Sequence, residues 1–366
     1  MTGRLIDRLD EAIRSRMEPL GVPGCALALI GDRALAEVRT YGVADLQTGA
    51  PVAPDTVFSL QSISKAFAAW AVMTLADAGR VDLDAPVSRY LRRWSLPPSD
   101  LYDLDLVTPR RLLSHHAGVT DRGFRGVEPR APRHTVLDAL RDRLPPPNAE
   151  QVRYYEDWSL EPDEPVRVTH PPGEAWRYSN AGFAILELMI EDVTGEDYGD
   201  FVTANVLEPL GLAGAGFERR EGQSLARPHL KTGRRCVDYR WPCRAAAGVY
   251  ASILDLATFA CAEMAGPGGE PAGRGVVSPA AIQTMFTPHG LADNAGGVQF
   301  EAGLGHLLLT SAGPMNVHHS GGTIGWRSIY SIFPDTGDGL CMLMNSDGAN
   351  DLWIPLVREW RAGLAA

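Results

Sequence analysis

Long apolar runs are missing from this sequence. No stretch approaches the about 18 uninterrupted apolar residues that a membrane-spanning helix needs, so no span is expected. The opening stretch, MTGRLIDRLDEAIRSRMEPLG, is charged throughout and has no apolar core of the kind a secretory signal carries. A cytoplasmic location is the expectation that follows. Basic excess is missing as well: 34 Lys and Arg stand against 45 Asp and Glu, a net charge of −11. With no Lys/Arg-rich run to override it, that balance argues against nucleic-acid and anionic-membrane partners. Cysteine is scarce and odd in number, at Cys25, Cys236, Cys243, Cys261 and Cys341, without zinc-ligand spacing. Reduced, partly buried thiols are expected, although Cys236 and Cys243 could meet in a loop. Internal repeats and low-complexity tracts are also lacking.

What remains is a chain of ordinary globular composition, 45% hydrophobic and 22% charged, which excludes disorder and coiled coil. Its 366 residues suffice for one large domain or two. Arg4 to Met17 places Leu5, Ile6, Leu9 and Ile13 on one face of an amphipathic helix. Gly24 to Ile30 and Ala34 to Val43, split by Gly31-Asp32, read as a β-hairpin. Ser62 to Ala78 reads as a helix apolar on nearly every face except its first turn, hence buried, and ended by Gly79. From Arg80 to about Trp241 helical segments (Arg110 to Ser114, Ala181 to Thr194, Tyr198 to Leu207) alternate with Pro- and Gly-rich loops. Pro145 to Pro172 reads as a surface excursion. Beyond Ala245 come a helix around Leu254 to Met264, strands at Gly303 to Leu309, Arg327 to Phe333 and Leu340 to Asn345, and a closing helix from Pro355 to Ala362.

Three short patterns carry chemistry. In Ser62-Ile63-Ser64-Lys65, Ser62 and Lys65 fall on one helix face, a turn apart. A serine hydroxyl needs a neighbouring base. A buried lysine can supply one, because burial disfavours the ammonium. The N–H groups at the helix start can face a developing oxyanion. Alone, S-x-x-K is common on solvated surfaces; here it follows a strand-like segment, Thr56 to Leu60, and opens a buried helix. The second pattern is Tyr178-Ser179-Asn180 before the Ala181 helix. Tyr178 can shuttle a proton to a leaving group, and the Asn180 amide can bind the acyl side and help hold Lys65. Its ordinary reading is a turn tyrosine and an N-cap asparagine. The third is His319-Ser320-Gly321-Gly322, where glycines let a backbone N–H approach a ligand and His319 can donate to substrate or steady Tyr178. Its ordinary reading is a strand-end histidine before a glycine turn.

The three patterns in this order resemble those of the serine β-lactamase-related hydrolases, a group of class C β-lactamases, penicillin-binding-protein-like enzymes, D-aminopeptidases, family VIII carboxylesterases and acyltransferases. The resemblance runs from about residue 10 to 360. It includes Leu112-Leu113-Ser114-His115-His116-Ala117-Gly118, Pro172-Gly173-Glu174 before Tyr178, Ala247 to Ser252 with Asp255, and Gly303-Leu304-Gly305. It implies an α+β fold of the β-lactamase/transpeptidase type: an antiparallel sheet flanked by helices, with an inserted mainly helical subdomain. Residues 1–80 and 245–366 would form the sheet part and 81–244 the insertion, with the site at their junction. The resemblance further implies that Ser62 is acylated, Lys65 accepts its proton, Tyr178 acts as general base and acid, and Asn180 binds the acyl side. The N–H groups of Ser62 and Gly322 would form the oxyanion hole, beside His319 and Gly321. His115 and His116 would be structural, and no metal or organic cofactor is required.

One departure matters. Penicillin-recognising members carry K-T-G at the third pattern, where this chain has His319-Ser320-Gly321. Its own Lys231-Thr232-Gly233 falls too early, in a polar loop, and is read as a chance match. Efficient β-lactam hydrolysis is therefore not expected. The expected activity is esterase-type hydrolysis of a small or medium acyl substrate. After it come transacylation to an amine or alcohol, cleavage of D-amino-acid peptides or amides, weak β-lactamase activity, and an idle binding protein on the same fold. Oligomeric state is left open.

Overall fold

Residues Gly24–Gly31 form β1, buried along its length to Ile30, and that is why the sequence there is a continuous apolar run. The computed structural model describes residues 3–121, 125–157, 165–295, 298–311 and 313–364. The other strands are β2 (Ala34–Asp45), β3 (Ala50–Pro51), β4 (Phe58–Ser59), β5 (Tyr250–Ala251) and β6 (Leu291–Ala295). They continue with β7 (Val298–Ala302), β8 (Leu307–Leu309), β9 (Asn316–Thr323), β10 (Trp326–Phe333) and β11 (Asp338–Met344). Nine of them make one sheet in the order β3-β2-β1-β11-β10-β9-β8-β7-β6, while β4 and β5 pair separately. The pairings are antiparallel, and β1 meets β11 with Leu27 opposite Met342. The sheet is thus closed by strands from the two ends of the chain.

Side chains alternate across it. Cys25, Leu27, Leu29, Leu340 and Met342 face Leu5, Leu9 and Ile13 of the Gly3–Met17 helix and Leu352, Leu356 and Trp360 of the Asn350–Leu364 helix. The first and last helices share one face. Ala26, Ala28, Ile30, Cys341 and Leu343 face the other way, into the core that holds Phe67, Trp70 and Phe259. There the Ser64–Asp77 helix is buried from Ser64 through Met73, and Phe67 stacks on Phe259 with ring centroids 3.9 Å apart. The Asn180–Thr194 helix packs against it, buried from Ala181 to Ile190 and ended by Gly195 at φ 78°. Among the described residues no helix is long and apolar enough to cross a membrane.

The structure shifts several expected boundaries. Ser62 lies in a 3₁₀ turn, Gln61–Ile63, and the α-helix begins only at Ser64. Of Gly303 to Leu309 only Leu307–Leu309 is strand, because Gly305 at φ 72° turns the chain first. The closing helix begins at Asn350 and takes Pro355 inside it. Six residues in, the proline gives up one intrahelical bond, the one its N–H would have made to the Asp351 carbonyl. The Tyr198 helix is α to Val202 and continues as a π-turn over Thr203–Leu207. The Pro145 to Pro172 excursion contains a helix, Ala149–Asp157, and its residues 158–164 lie outside the described ones. All five cysteines are free thiols, Cys236 and Cys243 included.

Candidate active site

The Phe58–Ser59 strand delivers the chain to a kink at Gln61, which is buried and left-handed at φ 51°. A non-glycine residue there is strained. Local bonds hold it: the Gln61 amide donates to Ser59 Oγ at 2.6 Å, and the Leu60 N–H donates to the Val249 carbonyl at 2.9 Å. Strand β9 closes over the same kink. Gly321 passes so near that a Cβ at its position would lie 2.1 Å from the Leu60 carbonyl oxygen, which also accepts from Ser328 Oγ at 2.7 Å. This glycine is required by close approach, and the third sequence pattern is thereby brought onto the first.

Lys65 is fully buried, and its amine has three neighbours of opposite polarity. Nζ lies 3.2 Å from Ser62 Oγ, 2.8 Å from Asn180 Oδ1 and 3.0 Å from the Ala246 carbonyl oxygen. An ammonium can donate to all three. A neutral amine has two N–H donors, which match Asn180 and Ala246 and leave its lone pair facing Ser62 Oγ. Ala246 belongs to a short helix, Arg244–Ala247, held by the buried Glu187 carboxylate through the Ala245 N–H (2.8 Å) and the Arg244 guanidinium (3.1 Å). Burial pushes that carboxyl up to about 7.

Tyr178 places its ring under the same amine, with Lys65 Nζ 4.8 Å from the ring centroid and 5.3 Å from that of Phe183. The helix cap is Ser179, not Asn180 as the ordinary reading of the pattern had it: Ser179 Oγ accepts from the Gly182 N–H at 3.0 Å. That frees the Asn180 amide for Lys65. His115, at φ 60°, accepts the Ser179 N–H on Nδ1 at 3.0 Å and lies against Tyr178 with ring centroids 4.4 Å apart. Burial, with Lys65 nearby, keeps its imidazole neutral, well below the usual histidine range. His116 bonds the Ser114 carbonyl at 2.8 Å.

His319 is buried, and its Nδ1 donates to the Ser320 carbonyl at 2.8 Å. Burial first, and the Lys65 charge second, lower its pKa to about 3. The third pattern therefore presents a neutral imidazole where a cation would be needed to hold a carboxylate. Lys231-Thr232-Gly233 makes no such contribution. Lys231 and Thr232 are exposed, and the turn is fastened by the Lys231 N–H to Asp347 (2.7 Å) and the Leu230 N–H to the Arg234 carbonyl (2.8 Å).

Sequence reasoning placed Ser62, Lys65, Tyr178, Asn180, His319, Gly321 and Gly322, and the fold gathers the segments that carry them. It missed the Ala246 carbonyl, the Gln61 kink and the contact of His115 with Tyr178. The signal for Ala246 was the Ala245 to Ser252 segment, whose small residues let backbone approach a buried amine. Among the described residues no group of three or more His, Cys, Asp or Glu side chains could hold a metal ion.

A family model described as Beta-lactamase matches residues 9–361. Esterase EstB of Burkholderia gladioli is 27% identical, over 95% of this chain and 91% of its own length. Penicillin-binding protein 4 of Amycolatopsis lactamdurans is 28% identical, over 94% of this chain and 86% of its own. Among solved structures, a class C β-lactamase superposes with a TM-score of 0.73 at 19% identity, covering 99% of this chain and 96% of that one, a likeness of fold.

Proposed function

Since the chain belongs to the β-lactamase family, we propose that it is a serine hydrolase that works through an acyl-enzyme on Ser62, and that it is an esterase for small or medium acyl groups. The observation that carries this reading is the Lys65 amine, buried and set between Ser62 Oγ, Asn180 Oδ1 and the Ala246 carbonyl.

In the proposed reaction the Ser62 O–H gives its proton to Lys65 Nζ as Oγ bonds the ester carbonyl carbon. The N–H groups of Ser62 and Gly322 stabilise the resulting oxyanion. When the C–O bond breaks, the leaving alkoxide takes a proton by way of Tyr178, and Asn180 steadies the acyl side. Water then attacks the acyl-enzyme, returning the carboxylic acid and free Ser62. The neutral imidazole of His319 supports an uncharged ester over a carboxylate-bearing β-lactam, and the likeness to an esterase at 27% identity points the same way.

The test is intact-protein mass after brief exposure to a nitrophenyl ester, for the wild type and Ser62→Ala, with and without added amine. One acyl adduct on the wild type alone is expected, lost to water at a rate the amine leaves unchanged. An adduct on Ser62→Ala would overturn the mechanism, and faster loss with amine would make the protein a transacylase.

A further inference from the structure

Behind the Lys65 helix lies a polar cluster that the proposed chemistry does not use. His306 Nε2 and Glu263 Oε1 meet at 2.7 Å, with neither side chain exposed. His306 Nδ1 faces the Leu304 carbonyl at 2.7 Å. A carbonyl only accepts, so Nδ1 carries a hydrogen. The indole N–H of Trp70 converges on the same Glu263 oxygen at 3.4 Å. The imidazole edge and the indole N–H thus converge on one buried carboxyl oxygen. Such a buried pair is expensive to desolvate, and apolar residues of similar volume often replace it without loss of stability. Stability alone is a poor reason for this chain to hold one.

Its position suggests another. Glu263 ends the Ile253–Ala262 helix, Trp70 sits on the Lys65 helix, and His306 closes the turn that starts at Gly303, whose N–H donates to the His306 carbonyl at 2.9 Å. In that turn Gly305 lies flat on the Lys65 helix. A Cβ at Gly305 would come 2.8 Å from the Lys65 carbonyl oxygen and 2.7 Å from Ala69 Cβ. The Gly305 N–H also donates to the Leu113 carbonyl at 2.9 Å. The bonded imidazole thus fixes a turn that presses on the residue whose amine faces Ser62.

We propose that Glu263, His306 and Trp70 are positioning residues for acylation: they pin the Gly303–His306 turn to the first turns of the Ser64–Asp77 helix and so set Lys65 Nζ against Ser62 Oγ. They act through Lys65. Misplacing a reacting group by about 1 Å can cost about 10²-fold in rate, so a small slackening here is enough. The inference rests on the proposed acylation of Ser62 with Lys65 as proton acceptor.

The test is the saturating acylation rate and the half-saturating concentration with a nitrophenyl ester, each variant being checked for its thermal midpoint. Glu263→Gln keeps a bond, since its amide can donate to a bare Nε2, and should stay within about threefold of wild type. The double variant Glu263→Leu/His306→Phe removes both ends of the pair, leaves only the 3.4 Å indole contact without its acceptor and should fold, yet acylate about 10- to 100-fold more slowly at an unchanged half-saturating concentration. A folded double variant at the wild-type rate overturns the proposal. So does a loss confined to half-saturation, or a Glu263→Gln variant as slow as the double. Should the double variant not fold, Trp70→Phe decides, because it removes the indole donor and keeps an aromatic ring against Phe259: a slower saturating rate supports the proposal and a wild-type rate overturns it. Failure of the underlying reading is distinct, since the wild type itself would then form no Ser62 adduct.

Discussion

The Lys65 amine and the Asn180 side-chain carbonyl lie 2.8 Å apart, although 115 residues separate them in the chain. The bond is neutral on the Asn180 side, and the proposed role of Lys65 as proton acceptor depends on that neutrality. Asn180→Asp keeps the shape and places a carboxylate beside the amine, which favours the ammonium. Nitrophenyl ester turnover near neutral pH should fall by about 10²-fold, the scale of a lost general base, and recover as pH rises. An Asp variant as active as wild type at neutral pH would remove Lys65 from the base role.

Gly321 passes the Leu60 carbonyl with no room for a methyl group. Gly321→Ala must push β9 away from the Ser62 turn. Overpacking of this kind costs about 1–3 kcal/mol, so the denaturation midpoint should drop and ester turnover should drop with it. Equal stability and activity would mean that β9 does not set the geometry at Ser62.

Acid should weaken the fold through His319. Its pKa is about 3 when folded, against 6.5 as the ordinary value. Between those pH values the unfolded chain binds the proton and the folded chain does not. Stability is therefore lost as pH falls below 6.5, by up to about 1.4 kcal/mol per unit. His115, also held well below its usual range by burial, acts in the same direction. His319→Gln should show a shallower fall in thermal midpoint between pH 7 and pH 4.5 than the wild type; parallel curves would place the titration elsewhere.

The two candidate third patterns can be separated directly. Lys231→Ala changes an exposed side chain and should alter ester turnover by no more than about twofold. His319→Ala opens a cavity beside the site and should cost far more. The reverse ranking would move the function to the Lys231 loop.

The grouping of Ser62, Lys65, Tyr178 and Asn180 was legible because each is a side chain whose type states a chemistry and whose order along the chain repeats a known pattern. The sheet was legible where burial on both faces imposes an apolar run, as in Gly24 to Ile30. Ala246 was not, because a backbone carbonyl is the same in every residue and only the fold says which one points at an amine. Gln61 hid for a related reason: left-handed backbone is ordinarily announced by glycine, and here the Ser59 bond stands in for it. The start of the last helix was misjudged because proline is a good first helical residue, and Pro355 lies further in.

The pairing of β1 with β11 has a consequence for synthesis. During translation Ser62 and Lys65 leave the ribosome long before the strand that covers the Ser62 kink and the one that locks β1 into the sheet. Contacts this distant in sequence are also slow to form. A nascent chain therefore holds Ser62 and Lys65 throughout the synthesis of the helices and strands up to β10 without the frame that positions them, and the chemistry proposed for them waits for β11.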